Sequence, residues 1–293
     1  MSQNLQDAID ALPPLRDIIA KHDLSARKGL GQHFLLDLNL TRRIARAAGN
    51  LSEGTVFEVG PGPGGLTRAL LLEGATHVVA IEKDHRCVAA LQDLVDVSEG
   101  RLEVIQADAR TFDYAAFRPA PRQIIANLPY NVATPLLINW LRHAEDYSSL
   151  TLMFQREVGD RIIATPGSRT FGRLSVLANW RCQTENLFNL PARAFTPPPK
   201  IDSSVIRLIP KDPPPVDAEI AVLETITAAA FGQRRKMLRS ALKTLNVDTP
   251  ALFTSTGIDP TRRAETIDIT GFAALARAYN DQLANSIAPP EVP

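Results

Sequence analysis

Between residues 55 and 155 the sequence alternates between short strand-like segments and helical stretches. The helical stretches, at 66–73, 84–95 and 134–143, each lie between two strand-like segments. Strands separated by helices of this length form right-handed βαβ units, whose parallel strands are covered by helices on both faces. This feature constrains the fold most, and it predicts a Rossmann-like α/β sheet. The strand-like segments are TVFEV (55–59), HVVAIE (77–82), LEVIQ (102–106), QIIAN (123–127) and LTLMFQ (150–155).

The pattern changes after residue 155. A helix is predicted at about 156–164, and two strands follow at 180–190 and 203–209 without a long helix between them. Such a pair is typical of an antiparallel edge on a mostly parallel sheet. Apolar residues at helical spacing then recur through 218–284, which predicts an all-helical region.

The length of 293 residues is enough for about two domains. The Pro-rich segment PKDPPPVD (210–217) is the natural boundary, because proline disfavours helix and strand interiors. We therefore expect an N-terminal helical extension at 1–27, an α/β domain at 28–210 and a small all-helical C-terminal domain at 211–293.

A glycine-rich turn, EVGPGPGG (58–65), follows the first strand. Glycines at a strand-to-helix turn let the backbone approach a ligand closely. Glu82 ends the next strand, 22 residues after Gly60, where an acid in this layout binds ribose hydroxyls. Asp108 follows the third strand and offers a carboxylate to an adenine amino group. These strand ends predict a nucleoside site.

The turn also indicates which nucleoside cofactor fits. Two prolines interrupt it, so it matches the dinucleotide fingerprint poorly, and no phosphate-binding lysine of the Walker type follows. Contacts to ribose and adenine without a pyrophosphate cradle favour S-adenosylmethionine.

The fourth strand runs into Asn127-Leu128-Pro129-Tyr130. An adenine N6 amine is a weak nucleophile, because its lone pair is delocalised into the ring. The Asn127 side-chain oxygen and the Leu128 carbonyl can each accept one N6 hydrogen, which favours a pyramidal nitrogen with its lone pair aimed at a methyl donor. Pro129 restricts the turn, and Tyr130 offers a face on which a base stacks with about 1–3 kcal/mol. The segment resembles the [DNS]-P-P-[YF] motif of methyltransferases that act on exocyclic amines.

Three further segments extend the resemblance: GQHFL (31–35), FTPPPKIDSSVIRL (195–208) and FGQRRKMLRSAL (231–242). With FEVGPGPGGLT and NLPYN they make the chain similar, over roughly 28–270, to bacterial small-subunit ribosomal RNA adenine dimethyltransferases. The resemblance implies a Rossmann-like class I methyltransferase fold that uses S-adenosylmethionine. It also implies dimethylation of the N6 amines of two adjacent adenosines in the 3′-terminal hairpin of 16S rRNA, late in small-subunit assembly.

The resemblance implies roles for individual positions as well. Asn127 and Leu128 would hold the reacting amine, and Tyr130 and Phe195 would flank a flipped adenine. By motif position, His33 and Leu35 would contact the cofactor through backbone groups. Position 33 is His where the family pattern has Asn, which is harmless for a backbone contact but puts a side-chain contact in doubt. The expected cofactor-binding residues are His33, Leu35, Gly60, Gly62, Glu82, Asp108 and Asn127.

Lys and Arg total 32 and Asp and Glu total 32, so any nucleic-acid site must be a local patch on a neutral protein. Residues 151–245 hold 14 basic and 8 acidic side chains, an excess that suits one RNA-facing surface. The expected RNA-binding residues are Arg234, Arg235, Lys236, Arg239 and Lys243.

A single helix is predicted through this basic segment. On it Arg235, Arg239 and Lys243 share one face at four-residue spacing. Met237 and Leu242 turn toward the core, as does Leu238.

Several classes of protein are not expected. The two cysteines argue against a disulfide scaffold or a Cys-rich zinc site, and we expect no metal. No signal peptide or spanning segment is predicted, so a cytoplasmic protein with no membrane partner is expected. The resemblance implies a monomer that acts on 16S rRNA in the immature small subunit. The alternatives are a large-subunit rRNA adenine methyltransferase of the antibiotic-resistance type and a non-catalytic RNA-binding assembly factor. An oxidoreductase is disfavoured by the Pro-interrupted turn and NLPY.

Overall fold

The computed structural model describes residues 3–24, 33–116 and 120–287; residues 31 and 32 of the GQHFL segment therefore lie outside the described residues. The strands within these ranges are β1 (Phe34–Leu35), β2 (Thr55–Val59), β3 (Val78–Glu82), β4 (Leu102–Gln106), β5 (Arg122–Ala126), β6 (Ser149–Gln155), β7 (Cys182–Leu190), β8 (Phe195–Thr196) and β9 (Ser203–Pro210). Strands β1 and β8 form an antiparallel pair, and the others form one sheet in the order β4-β3-β2-β5-β6-β9-β7.

The large sheet is parallel from β4 through β6, and β9 lies antiparallel to β6. This confirms the predicted Rossmann-like sheet with an antiparallel edge. The chain runs outward from β2 to β4 and then returns to β5, on the other side of β2, so the strand order reverses between β2 and β5. Open α/β sheets bind ligands at such a reversal, beyond the carboxyl ends of the strands. Gly60 directly follows β2 and Asn127 directly follows β5, so the sheet brings both motifs to one crevice.

The predicted helices flank the strands, and the one at 84–95 is divided at Leu91. Among the described residues, no helix is both long and apolar enough to span a membrane. The helices are α1 (Gln3–Asp10), α2 (Leu15–Lys21), α3 (Leu38–Ala47), α4 (Gly65–Leu72), α5 (His85–Ala90), α6 (Gln92–Val97), α7 (Tyr130–Arg142), α8 (Arg156–Ile162), α9 (Arg173–Arg181), α10 (Ile220–Gly232), α11 (Leu238–Ala241), α12 (Thr249–Thr256) and α13 (Ile269–Ile287).

Strand β2 and helix α4 form the centre of the core. Every residue of both elements is buried, as expected for a parallel strand that is covered by helices on both faces. Gly65 begins α4 so close to the preceding β1 segment that a Cβ atom would lie 2.8 Å from the carbonyl oxygen of Leu35. The glycine turn is therefore needed for packing as well as for ligand access.

The chain divides into two compact units, one of residues 1–159 and 184–210 and one of residues 160–183 and 211–293. The first unit contains nearly all of the sheet, and the second contains α9 to α13. Residues 160–183 join the C-terminal helices because α9 packs against α10 and α13, and the Trp180 indole donates to the carbonyl of Val216 at 2.8 Å. A boundary between residues 210 and 211 would leave residues 160–183 in the α/β domain, whereas the structure groups them with the C-terminal helices. The three-part domain division stays a prediction.

The strand expected at 180–190 begins two residues late. Trp180 and Arg181 end α9, and β7 starts at Cys182. The Trp180 side chain is buried within the helical unit, and its indole hydrogen bond to Val216 keeps this residue in α9.

Candidate active site

The glycine-rich turn after β2 forms one wall of the crevice. Gly60 and Gly62 have φ angles of 69° and 56°, in the left-handed region that other residues rarely adopt. The Gly60 N–H donates to the carbonyl of Ile81 at 2.9 Å, and the Gly62 N–H donates to the carboxylate of Glu82 at 3.3 Å. The turn is thus tied to β3 before any ligand binds.

Glu82 stands at the carboxyl end of β3. One of its carboxylate oxygens accepts hydrogen bonds from the N–H groups of Lys83 and Asp84, at 2.7 and 2.9 Å, and the other accepts the bond from Gly62. Burial raises the pKa of Glu82, and these backbone hydrogen bonds act in the opposite direction. A carboxylate has about four acceptor positions, so Glu82 keeps capacity for a ribose hydroxyl in a fixed orientation.

Asp108 follows β4 and is held by two cations. Arg110 donates to it through Nη2 at 2.6 Å and Nε at 3.0 Å, and the Lys83 ammonium lies 3.0 Å away. The hydrogen bonds from Arg110, together with that from Lys83, hold the pKa of Asp108 well below its usual range. Its carboxylate is therefore ionised and an acceptor only. The Arg110 N–H also donates to it at 3.1 Å, so it already accepts four hydrogen bonds, and an adenine amino group would have to take the place of one of these donors.

Asn127 lies at the carboxyl end of β5. Its side-chain nitrogen donates to the main-chain carbonyl of His33 at 3.4 Å. An amide that donates through its nitrogen presents its oxygen on the other side of the group, where the oxygen can accept an amine hydrogen. The next side chain, Leu128, is buried and anchors the peptide whose carbonyl is the second expected acceptor.

The two aromatic residues expected to flank the base are placed differently. Tyr130 is half-buried, and its hydroxyl and the Ser203 hydroxyl form a hydrogen bond of 2.6 Å. Phe195 is only 3% exposed and packs in the hydrophobic core, on β8 opposite Leu35. The structure does not bring Phe195 to an open face beside Tyr130, so its contact with a base stays a prediction.

Two cavities lie along the crevice and share Gly60, Glu82 and Pro129 as lining residues. The smaller, of about 100 Å³, reaches Asn127, and the larger, of about 580 Å³, reaches Asp108. The larger is in the size range of small-molecule sites. Every expected cofactor-binding residue lines one or both cavities; they are His33, Leu35, Gly60, Gly62, Glu82, Asp108 and Asn127.

Glu58 is a site residue that the sequence interpretation missed. Its side chain is 1% exposed, it lines the smaller cavity, and its Oε2 has no hydrogen-bond partner among the described residues. Burial raises the pKa of Glu58 to about 8. An interaction with the Thr67 side chain acts in the opposite direction. A buried carboxyl oxygen without a partner is costly, and a positively charged ligand group would offset that cost. The available signal was an acid in the middle of a strand predicted to be buried on both faces.

These residues fit S-adenosylmethionine. Its adenosine part matches the larger cavity, with Glu82 and Asp108 as acceptors for ribose and adenine. Its sulfonium and ammonium groups are positive, and two carboxyl groups, Glu58 and Glu82, line the smaller cavity and would favour a positive ligand in their ionised forms.

The predicted helix through the basic segment is wrong. Residues 233–236 form a turn, and α11 begins only at Leu238, so Arg235, Arg239 and Lys243 do not share one helical face. Met237 is not in the core: it is 41% exposed and forms a β-bridge with Arg263. The backbone pairs with the strand-like segment before residue 264 instead of continuing a helix, since the Leu238 N–H donates to the Arg262 carbonyl at 2.8 Å.

The five expected RNA-binding cations fall into two groups. Arg234 donates to the carbonyl of Arg169 at 2.6 Å and lies 3.3 Å from the carboxylate of Glu265, so it supports the helical unit itself. The other four are exposed, and two of them line a cavity of about 800 Å³ in that unit. The exposed cations are Arg235, Lys236, Arg239 and Lys243, of which the last two line the cavity.

A Rossmann-like sheet with a nucleoside crevice at its strand reversal, and with Asn-Leu-Pro-Tyr at the neighbouring strand end, defines a class I methyltransferase. The family model described as ribosomal RNA adenine dimethylase matches residues 23–281. The chain belongs to the ribosomal RNA adenine dimethylase family, whose methyltransferases use S-adenosylmethionine.

Individual relatives agree with this assignment. The chain is 59% identical over 271 residues to ribosomal RNA small subunit methyltransferase A of Rhodospirillum rubrum, covering 92% of this chain and 94% of the relative. A solved dimethyladenosine transferase from Plasmodium falciparum is 26% identical with a TM-score of 0.73, over 85% of this chain and 98% of that one. The 23S rRNA methyltransferase ErmE is 23% identical with a TM-score of 0.63, over 84% and 99%, and shares the fold.

Proposed function

We propose that this enzyme dimethylates the N6 amines of two adjacent adenosines in the 3′-terminal hairpin of 16S rRNA, late in assembly of the small subunit. The observation that carries the proposal is the side-chain amide of Asn127, which lines the smaller cavity with its nitrogen already bonded to His33. The choice of the small subunit is supported by the 59% identity to a small subunit methyltransferase.

The residues around Asn127 would act on the amine by position. The Asn127 oxygen and the Leu128 carbonyl accept the two N6 hydrogens, so the nitrogen lone pair is directed into the smaller cavity. S-adenosylmethionine supplies an electrophilic methyl group on a positively charged sulfur. Holding the two reactants in line in a site that excludes water provides most of the rate enhancement.

Tyr130 provides the face that receives the flipped base. Its hydrogen bond to Ser203 fixes the ring at the start of α7, two residues after Leu128. Stacking of about 1–3 kcal/mol offsets part of the cost of unstacking the adenine from its hairpin.

Contact with the RNA backbone is proposed for the helical unit. Four exposed cations between positions 235 and 243 suit phosphate contacts, which supply affinity without sequence information. We place the enzyme in the cytoplasm as a monomer, bound to the immature small subunit that contains its substrate.

The proposal is tested by mass mapping of 16S rRNA from cells that lack this gene. Restoring the wild-type gene is expected to give two adjacent dimethylated adenosines near the 3′ end, and restoring an Asn127→Ala gene is expected to give neither. Adenine methylation that appears in the large-subunit RNA instead would overturn the substrate assignment.

A further inference from the structure

We propose that His33 is a positioning residue for the target base, because its ring and main chain join Asn127, Tyr130 and the turn at Pro197. The inference rests on the proposed role of Tyr130 as the stacking face. It assigns His33 a role beyond cofactor binding.

His33 makes three contacts within the first unit. Its Nδ1 lies 2.7 Å from the carbonyl oxygen of Pro197, and its ring centroid lies 5.5 Å from that of Tyr130 with 34° between the planes. Its own main-chain carbonyl accepts the 3.4 Å hydrogen bond from the Asn127 amide. Since a carbonyl can only accept, Nδ1 carries the proton in the bond to Pro197, and the orientation of the ring is fixed.

The contact with Pro197 lies just beyond the last paired residues of β1 and β8. Strands β1 and β8 pair Leu35 with Phe195 and Phe34 with Thr196, so the next position along the pair sets His33 against Pro197. Pro197 has no N–H to donate and cannot complete the ladder. The His33 side chain binds the Pro197 carbonyl, which holds the turn after β8 against the start of β1.

The contact with Tyr130 restrains the proposed stacking face from the side. The Tyr130 hydroxyl is already bonded to Ser203, which fixes one end of the ring. The His33 ring packs near it at a separation typical of aromatic pairs. With both restraints the ring is ordered before the base arrives, so binding costs less side-chain entropy.

The contact with Asn127 links the same residue to the reacting amine. The His33 carbonyl accepts the hydrogen bond from the side-chain nitrogen of Asn127, and this bond selects the rotamer that presents the Asn127 oxygen to N6. One residue therefore sets the orientation of both the hydrogen-bond acceptor and the stacking face. Displacement of either group by about 1 Å is enough to lower the rate by up to 100-fold.

The test compares three substitutions at His33 in the full-length enzyme. His33→Ala removes ring and donor, His33→Phe keeps a ring without a donor, and His33→Asn keeps a donor without the ring. The measured quantities are kcat and KM on under-methylated small subunits, the Kd for S-adenosylhomocysteine by calorimetry, and the melting temperature. His143→Ala is the matched control, since His143 is an exposed histidine at the end of α7.

His33→Ala is expected to lower kcat/KM for the RNA by about tenfold or more, while the cofactor-analogue Kd changes by less than about threefold. His33→Phe and His33→Asn are expected to recover part of the loss, each through the contact that it keeps. The proposal would be overturned if His33→Ala weakened only the binding of S-adenosylhomocysteine. It would also be overturned if all three variants lost activity equally and in proportion to their loss of melting temperature.

A double variant separates this inference from the proposed function. If His33 acts through the Tyr130 ring, then His33→Ala combined with Tyr130→Leu, which removes that ring, loses less activity than the product of the two single losses. Losses that multiply would contradict coupling between the two rings. Wild-type enzyme that methylates no adenine would refute the proposed function, whereas active wild type with an unaffected His33→Ala variant refutes only the inference.

Discussion

The crevice of the sheet and the basic segment of the helical unit are built in opposite ways. At the crevice, Glu82 and Asn127 extend from buried parallel strands and already hold hydrogen bonds to neighbouring groups. In the helical unit, Arg235 and Lys236 lie on an exposed turn. Rigid placement suits recognition of one small molecule and one reacting atom, and exposed long side chains suit a polyanion whose phosphates can be met in several geometries.

This contrast predicts two kinds of mutational effect. Substitutions in the crevice should abolish single steps with little effect on RNA affinity. Substitutions in the basic segment should weaken RNA binding gradually, in a salt-dependent way, and leave cofactor affinity unchanged.

The largest effect is expected for Asn127→Ala. It removes one preorganised acceptor for the amine, so the methylation rate on saturating small subunits should fall by about 100-fold or more. RNA affinity should persist. The measurement is transfer of labelled methyl groups in a single turnover, with Asn285→Ala on the exposed face of α13 as the control. Full activity of Asn127→Ala would remove the proposed mechanism.

The second largest effect is expected for Glu82→Ala. Loss of a charged acceptor is worth about 1.5–3 kcal/mol, so the Kd for S-adenosylhomocysteine should rise by about 10- to 100-fold. Calorimetry measures this directly, and Glu103→Ala, an exposed acid on β4, should leave the Kd unchanged. An unaltered Kd in Glu82→Ala would mean that the ribose contact is misassigned.

In the basic segment, the pair Arg235→Ala and Lys236→Ala leaves the structural contacts of Arg234 in place. Loss of two phosphate contacts should weaken RNA binding by roughly tenfold at low salt and lower the slope of log K against log salt by about 2. Filter binding over a salt series provides the measurement, with Arg16→Ala as the control. An unchanged slope would place the RNA surface elsewhere.

The smallest effect concerns Glu58 and pH. Because burial raises the pKa of Glu58 to about 8, the free enzyme holds a proton there at neutral pH. A positively charged cofactor favours the ionised form, so its binding releases this proton, and the affinity should rise with pH up to about 8 by at most about tenfold per pH unit. Glu58→Gln should flatten this dependence, as calorimetry in buffers of different ionisation enthalpy would show.

The same group affects the stability of the free enzyme. The folded-state pKa is raised above the unfolded value of about 4.3, so the stability that the protonated group contributes is fully present below that value. It is lost as the pH rises toward about 8. The melting temperature of the wild type, compared with that of Glu58→Gln, should therefore decrease as the pH is raised from about 4.3 to about 8. A constant difference between the two proteins would contradict the assignment.

The crevice of the sheet could be predicted from the sequence better than the basic segment of the helical unit. Sheet geometry fixes the end of a buried strand, so Gly60, Glu82 and Asn127 could be placed from strand spacing alone. Glu58 was missed because periodicity marks its strand as buried but does not distinguish a cavity wall from the core. Phe195 was expected at an open face, and only the pairing of β8 with β1 shows that it is packed against Leu35.

The basic segment was harder to predict because local spacing competes with tertiary pairing. The residues from 235 to 243 have helical periodicity, yet the backbone at Met237 pairs with Arg263 far along the chain. Only the fold of the whole helical unit specifies that pairing. Four of the five expected cations are exposed and only Arg234 is not, because a solvated position for a cation does not depend on helix or turn.

The most direct test of the mechanism is a crystal structure of the enzyme with S-adenosylhomocysteine and an RNA hairpin that contains the target adenosines. The mechanism predicts the adenine N6 within hydrogen-bond distance, about 2.7–3.2 Å, of both the Asn127 oxygen and the Leu128 carbonyl, with the sulfur of the analogue in line beyond it. A base bound elsewhere in the crevice, or an Asn127 oxygen turned away from the amine, would contradict it.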